Sequence, residues 1–265
     1  MKLLDRLLGR KAAPATPPEP DVEAALARAK ALFEAGDVGA AFDIWHALAH
    51  AGVARAQANL GGLFATGSGV ERDDDEAVRW FRLAARAGDP VAQQNMALMY
   101  YEGRGTDGDL AESARWYRAA AESGEAEAMN MASWMACEGV GGPVDYEIAR
   151  HWAEGAAARG VPSAMCRLGQ IHHNAHGVER DPVEAARWFE RAARSGDAEA
   201  QAMLGAARLM GLGIDKDIVQ AWRWLTRAQR QGDPLAAGFL QRAREIATAD
   251  QIAEAERLIA AGDRA

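Results

Sequence analysis

The chain has 265 residues, of which 49% are hydrophobic and 26% charged, so it can bury a sizeable core and wholesale disorder is not expected. Its 30 basic and 38 acidic residues leave a net charge of −8, which argues against a protein that grips a nucleic-acid backbone. Two cysteines are too few for a disulfide framework, and no apolar run approaches the roughly 18–20 residues that span a bilayer.

The first 20 residues are predicted to be a short amphipathic segment followed by a proline-rich linker. Leu3, Leu4, Leu7 and Leu8 share one helix face, and residues 11–20 hold four of the nine prolines. Charges interrupt the apolar run and no cleavage site follows, so a signal peptide is not predicted. Two interpretations stay open: a frayed terminus, or a small anchor for a membrane surface or partner helix. The expected location is the cytoplasm, with peripheral contact at the inner membrane surface through residues 1–10 as the alternative.

Residues 21–52 are predicted to form a degenerate helical pair that caps a repeat array. Gly36 and Asp37 mark the turn between its helices, and Ala51 and Gly52 mark its exit. A cap of this kind is expected because the terminal units of a repeat stack need a polar outer face.

Residues 53–232 repeat themselves with a period of 36 residues. Five of the eight tryptophans share one register, and glycine and aspartate columns keep the same step. Chance does not hold several columns in phase over five periods, so this segment is interpreted as a tandem array of five units. The columns are Trp80, Trp116, Trp152, Trp188 and Trp224; Gly88, Gly124, Gly160, Gly196 and Gly232; and Asp73, Asp109, Asp145, Asp181 and Asp217.

Each unit is predicted to be two helices joined by a glycine turn. In the first unit Ala56 and Leu60 belong to an apolar stripe at helical spacing, and Gly67 ends that helix because glycine tolerates positive φ. Asp73 caps the second helix, and Glu76 three positions later completes a capping-box pattern. One helix pair cannot bury its stripe alone, so neighbouring pairs must stack. The box recurs at Asp109/Glu112, Asp181/Glu184 and Asp217/Gln220.

Residues 233–265 are predicted to close the array with capping helices. Residues 234–247 form another first helix in this interpretation. Thr248 and Gln251 then start a final amphipathic helix, whose apolar face carries Ile252 and Ile259.

The unit AQANLGGLFATGSGVERDDDEAVRWFRLAARAG resembles the Sel-1-like repeat, a relative of the tetratricopeptide repeat, and AMCRLGQIHHNAHGVERDPVEAARWFERAARSG shows the same signature. The resemblance covers all five units. It implies an all-α fold, a right-handed α/α superhelix (solenoid) of tetratricopeptide-like repeats, and an adaptor that assembles protein complexes. It implies no reaction and no cofactor.

Three positions depart from the pattern of the resemblance. In the third unit Ala153 stands where the other units keep an aromatic residue or leucine, and Ala136 stands where the family favours an aromatic. In the fourth unit Ala175 replaces the first turn glycine. These changes are expected to weaken the local core, so that the middle repeats bend away from ideal geometry.

A solenoid presents one face of each first helix on its concave side. This face, which we call the first-helix stripe, begins at Arg55 with spacing i, i+3, i+7 and i+10 and recurs every 36 residues, ending with Ala202, Ala206 and Leu209. Related tetratricopeptide-like grooves bind peptides with corresponding positions, so the resemblance points the same way. The predicted partner-binding residues are Arg55, Gln94, Leu98, Tyr101, Glu127, Asn130, Trp134, Gln170 and His173.

Trp134 is the decisive residue of the stripe. It lies outside the tryptophan register, so repeat packing does not require it, and aromatic residues are frequent interface hot spots. Leu98, Tyr101 and Trp134 would anchor an apolar side chain, while the amides of the stripe would hydrogen-bond an extended backbone. The alternative, that Trp134 is ordinary core between successive first helices, stays open.

Catalytic and metal motifs are weak. His172 and His176 are four residues apart and His173 lies between them, yet no third ligand of known geometry is visible, so no metal is predicted. The strings S-x-x-K and K-T-G of penicillin-binding enzymes are absent, and no enzyme is expected. Cys137 and Cys166 differ by about 10 Å in helix height, beyond disulfide reach, so reduced thiols are predicted.

The sequence therefore predicts a non-catalytic scaffold that binds a peptide or helix of a partner protein in its groove. No cofactor and no nucleic-acid partner are expected. The alternative is a regulatory component of an envelope, polysaccharide or stress-response system, tethered through the N-terminal segment.

Overall fold

The structure is a computed structural model that describes residues 21–262. The predicted amphipathic segment and linker of residues 1–20 lie outside the described residues. Within the described range the chain forms fourteen helices and no strand, and the predicted all-α solenoid class is confirmed. None of these helices combines the length and the apolar composition that a membrane span needs. The chain divides into two compact units between Ala87 and Gly88.

Twelve of the described helices have the same length of 13 residues, and within the five repeats long and short loops alternate. Within each unit the closest packing joins the two helices of one repeat, and looser packing joins successive repeats. The first unit contains α1 (Val22–Glu34), α2 (Val38–His50), α3 (Ala54–Thr66) and α4 (Asp74–Arg86). The second unit contains α5 (Pro90–Glu102), α6 (Leu110–Glu122), α7 (Ala126–Glu138), α8 (Tyr146–Ala158), α9 (Pro162–Asn174), α10 (Pro182–Arg194), α11 (Ala198–Met210), α12 (Ile218–Arg230), α13 (Ala236–Ile246) and α14 (Ala249–Gly262).

The second helix of each repeat begins at an aspartate N-cap, as predicted. The Asp73 carboxylate accepts hydrogen bonds from the N–H groups of Asp75 and Glu76 at 3.0 and 2.9 Å. These bonds satisfy backbone donors that have no partner inside the helix. Equivalent caps lie at Asp109, Asp145, Asp181 and Asp217.

The capping box of the first repeat forms only in half. Glu76 pairs with Arg79 at 2.7 Å, and the Asp73 N–H donates to the Phe64 carbonyl of the preceding helix at 3.0 Å. The reciprocal bond from glutamate to the cap residue was predicted and is wrong here. The Asp73 N–H already has a backbone acceptor, so the Glu76 side chain does not have to be ordered to accept its hydrogen bond.

First helices end at a residue in the left-handed backbone region. Gly67 has φ of 70°, and Ala175 takes the same role in the fourth repeat with φ of 60°. Ala175 is the one non-glycine residue with positive φ in the described part of the chain. Its Cβ makes this conformation unfavourable by about 1–2 kcal/mol relative to glycine.

In the first and fourth repeats the two helices meet through a ring that faces a glycine. Phe81 of α4 is buried over Gly61 of α3, where a Cβ atom would lie 2.7 Å from the ring. Phe189 lies over Gly169 in the same way, at 2.5 Å from a Cβ built there. The glycine in the Leu-Gly pair therefore makes room for the ring of the second helix.

The third repeat replaces this pair with two small residues. Ser133 and Ala153 are both fully buried, and the Ser133 Oγ donates a hydrogen bond to the Ala149 carbonyl at 2.8 Å. Ala153 is thus accommodated by a small partner that brings its own hydrogen bond to the second helix.

Two helices close the chain. Thr248 and Gln251 form a complete capping box at the start of α14, with backbone-to-side-chain distances of 3.0 and 3.2 Å. Leu209 of α11 joins a buried cluster with Trp222 of α12 and Ile259 of α14. The last repeat is therefore covered by the closing helices.

Candidate functional site

The first helices of the second unit place most of the predicted stripe on neighbouring elements. They are α5, α7, α9 and α11, of which α7 contacts α9 and α9 contacts α11. Eight of the nine predicted binding residues lie on α5, α7 and α9. The ninth, Arg55, is an exposed residue of α3 in the first unit.

An apolar cluster forms where α5 and α7 present the stripe. Leu98 and Tyr101 are 36% and 40% exposed, although both are large hydrophobic side chains. Trp134 is half-buried against the core, and its ring meets Tyr101 edge-on, with centroids 6.1 Å apart and planes at 69°. The indole therefore contributes to the core and also presents an edge next to an exposed aromatic residue.

The polar residues of the stripe differ in how far they are already paired. Asn130 is half-buried, and its Oδ1 is buried without a hydrogen-bond partner among residues 21–262. An unpaired buried acceptor costs about 1–3 kcal/mol. The Gln170 amide instead donates to Glu199 Oε1 at 2.5 Å. Gln94 is half-buried and Glu127 is exposed.

Part of the wider stripe is not accessible. Ala202, Ala206 and Leu209 on α11 are buried, with exposures of 0%, 4% and 2%. Ala202 packs with Ala236 of α13, and Leu209 packs with Ile259 of α14. Burial at this stripe position is not confined to the fifth repeat, since Cys166 is only 2% exposed. His173 of α9 lines a cavity of about 90 Å³ together with Phe239 of α13.

Arg167 is a residue of this site that the sequence pattern did not single out. It lies one position beyond the stripe, where the other repeats carry asparagine or methionine. Its Nε is buried and has no hydrogen-bond partner in the described range. Its charge faces the groups that surround it, namely Cys137, Cys166 and Glu199.

The two thiols near Arg167 are poor nucleophiles. Burial raises the pKa of the Cys137 thiol, and Arg167 opposes this shift through its charge and a hydrogen bond. Burial also raises the pKa of Cys166, which is only 2% exposed. Both cysteines are free. Because the thiolate is the reactive form, this arrangement does not favour cysteine catalysis.

The Glu199 carboxyl also has a raised pKa. Loss of hydration is the largest cause, and the charge of Asp197 adds to it, while the hydrogen bond from Gln170 opposes the shift. The pair formed by Gln170 and Glu199 therefore links α9 to α11 but leaves the carboxyl less acidic than usual.

The three clustered histidines do not converge. His176 stacks on Tyr146, with ring centroids 4.3 Å apart, whereas His173 faces the cavity beside α13. In the described part of the chain, no group of three or more histidine, cysteine, aspartate or glutamate residues could hold a metal ion.

Comparison with known proteins matches the repeats to a family. The family model described as Sel1 repeat matches residues 54–89, 90–125, 126–161, 162–197 and 198–233. No curated protein matches the chain at a significant level.

Two solved structures are similar over most of the chain. The first is a protective antigen of uropathogenic Escherichia coli strains that displays an SLR fold, with 31% identity and a TM-score of 0.76 over 89% of this chain. This chain spans 55% of the length of that antigen. The second is a Sel1 repeat protein from Oxalobacter formigenes, with 29% identity and a TM-score of 0.74, covering 78% of this chain and 85% of that chain.

Proposed function

Because the chain belongs to the Sel1 repeat family, we propose that it is a non-catalytic scaffold that binds a peptide or helix of a partner protein on its first-helix stripe. Sel1 repeat proteins generally mediate protein–protein interaction, which supports the general role. The finer proposal concerns the surface, and the α5–α7 part of the stripe is where we place the partner.

The observation that carries the proposal is the apolar cluster of Leu98, Tyr101 and Trp134. Two of these large side chains are exposed, and the third meets one of them edge-on. Exposed apolar residues that lie next to a half-buried tryptophan are typical of a binding hot spot, since a partner can finish burying them. Nothing within the repeat fold requires a tryptophan at position 134, since the tryptophan column runs through the second helices.

The polar surroundings favour a partner with an available backbone. The Asn130 Oδ1 has no hydrogen-bond partner among residues 21–262, and a peptide N–H or a helix N-terminus would donate to it once the side chain turns outward. Gln170 is occupied by Glu199, so the stripe offers its amide only if that pair opens. The raised pKa of the Cys137 and Cys166 thiols disfavours the reactive thiolate, which is consistent with a scaffold role.

The test is capture of partners by the intact chain and by Trp134→Ala, quantified by mass spectrometry. We expect the variant to keep its helicity and to lose about 2 kcal/mol of binding free energy, or roughly 30-fold in Kd. Val183→Ala is the control, because Val183 is an exposed apolar residue on α10, away from the stripe. Equal capture by a folded Trp134→Ala variant would contradict the proposed surface.

A further inference from the structure

The third repeat contains a pocket of about 230 Å³ that lies outside the first-helix stripe. It opens between the second helix of the preceding repeat and the two helices of its own repeat, with the α7–α8 loop as one side. Trp134 and Ala136 are two residues apart on α7, so at 100° per residue they point to nearly opposite faces. The walls include Ala114 and Arg118 of α6, Met135 and Ala136 of α7, Val140 of the loop and Ile148 of α8.

The pocket exists because the third repeat lacks a large side chain at position 136. The register positions in the other repeats are Phe64, Tyr100, His172 and Arg208. In the fifth repeat, Arg208 reaches Glu190 at 3.9 Å, and Glu190 is the register equivalent of the pocket residue Arg118. The side chain at this position of the fifth repeat therefore extends to the preceding second helix, and alanine at position 136 leaves the equivalent space open.

The rim of the pocket carries exposed apolar residues at two positions where most of the other repeats are charged or polar. Ile148 is 38% exposed and stands where the other repeats carry Glu76, Glu112, Glu184 or Gln220. Val144, beside the rim, is 50% exposed, and its register equivalents are arginine, lysine or glycine. If alanine at position 136 reflected only looser packing of the third repeat, no exposed apolar residues would be needed beside it. Three coordinated departures at one place therefore indicate a binding site.

The pocket walls are held in place before any ligand arrives. A Cβ atom at Gly141 would lie 2.1 Å from the Leu110 carbonyl oxygen, so the loop is seated directly on the start of α6. Asp145 caps α8 through the Ile148 N–H at 3.0 Å, and its own N–H donates to the Ala136 carbonyl at 2.9 Å. A preformed apolar pocket loses little entropy when it is filled.

We propose that this pocket binds the side chain of a phenylalanine or tyrosine that a protein partner presents. The volume suffices, since an engineered apolar cavity of about 150 Å³ already takes up benzene. Arg118 lines the wall, and its Nε donates to the carbonyl of Ala114, another lining residue, at 3.3 Å. A guanidinium beside the pocket favours a π face over an aliphatic side chain. The proposal rests on the proposed function only in that the ring comes from a protein, and it uses a different surface from the stripe.

The test uses the full chain with isotope-labelled methionine methyl groups and N-acetyl-phenylalanine amide as the probe. We expect the probe to shift the Met135 methyl resonance in the native chain with millimolar affinity, and the leucine analogue to bind several-fold more weakly. The shift should disappear in Ala136→Phe, which fills the pocket from within, and that variant should melt a few degrees higher.

Two further variants keep the outcome decisive. Ile148→Glu introduces the residue type of the other repeats at an exposed rim position, so this variant should fold. It should bind the probe severalfold more weakly than the native chain does. This result can be obtained even if Ala136→Phe does not fold. Trp134→Ala should bind the probe normally, which separates failure of the pocket from failure of the stripe. The inference is overturned if Met135 does not respond or if Ala136→Phe binds as well as the native chain. Binding of free p-cresol without binding of the blocked amino acid would overturn the protein source of the ring.

Discussion

The first and third repeats use the same helix–loop–helix frame with opposite choices of side-chain size. The first repeat places Phe81 over Gly61 and fills the end of the pair with Phe64. The third repeat has small residues at all three equivalent positions and gains a serine hydrogen bond to the second helix instead. The columns of a repeat are therefore coupled: a ring requires its glycine, and the loss of the ring at position 136 leaves a pocket with an apolar rim.

The largest expected effect comes from transplanting the third-repeat pair into the first. Phe81→Ala should lower the free energy of unfolding by about 3–5 kcal/mol, since it empties a fully packed site. In the Phe81→Ala background, Gly61→Ser should lower the free energy of unfolding much less than it does in the native chain. In the native chain the new Cβ would clash with the Phe81 ring. Chemical unfolding followed by circular dichroism measures both. Simple additivity of the two changes would show that the pair is not coupled.

The third and fourth repeats differ at the end of their first helix, which predicts a smaller effect. Ala175→Gly should raise the free energy of unfolding by about 1 kcal/mol, because glycine adopts the left-handed conformation without a Cβ clash. Gly139→Ala in the third repeat is the reciprocal change and should lower it by at least as much, since the new Cβ would lie 3.1 Å from Val144. Thermal unfolding of both variants checks the signs, and a loss of stability in Ala175→Gly would contradict the explanation.

The smallest effect concerns the thiols of the same two repeats. Cys137 should react with a disulfide reagent in the native protein, whereas Cys166, 2% exposed, should react only on unfolding. Because the pKa of Cys137 is raised, its rate should still be climbing above about pH 9. Arg167→Gln removes a group that lowers this pKa, so it should slow the reaction severalfold at about pH 8. Equal rates for native and variant protein would exclude the contact.

The helices were predictable because their signals are local. The aspartate caps, the turn glycines and the 36-residue columns act within one repeat, and the structure confirms the caps at Asp73 and its equivalents. Burial along the stripe was less predictable, because it depends on what the next element places there. Ala202 occupies a stripe position, yet it is fully buried and packs with Ala236 of α13.

Pairing and cavities were the least predictable. The bond between Gln170 and Glu199 joins residues 29 apart in the chain, and a repeat pattern gives no rule for such side-chain partners. Ala136 was recognisable as a missing aromatic, but the departure at Ile148 gains meaning only when the fold brings it to the same pocket. Whether the stripe binds a partner stays a prediction that Trp134→Ala tests.

The amide of each capping aspartate bonds back to a first-helix carbonyl nine residues earlier, as Asp145 does to Ala136. That bond links the two ends of the loop, so it holds the end of the first helix against the start of the second. Its proton can exchange with deuterium only when the two helices separate, so slow exchange there would report opening of a whole repeat rather than fraying of one end. In the third repeat the same loop closes over the pocket at residue 136, so an occupant of that pocket would slow the exchange further.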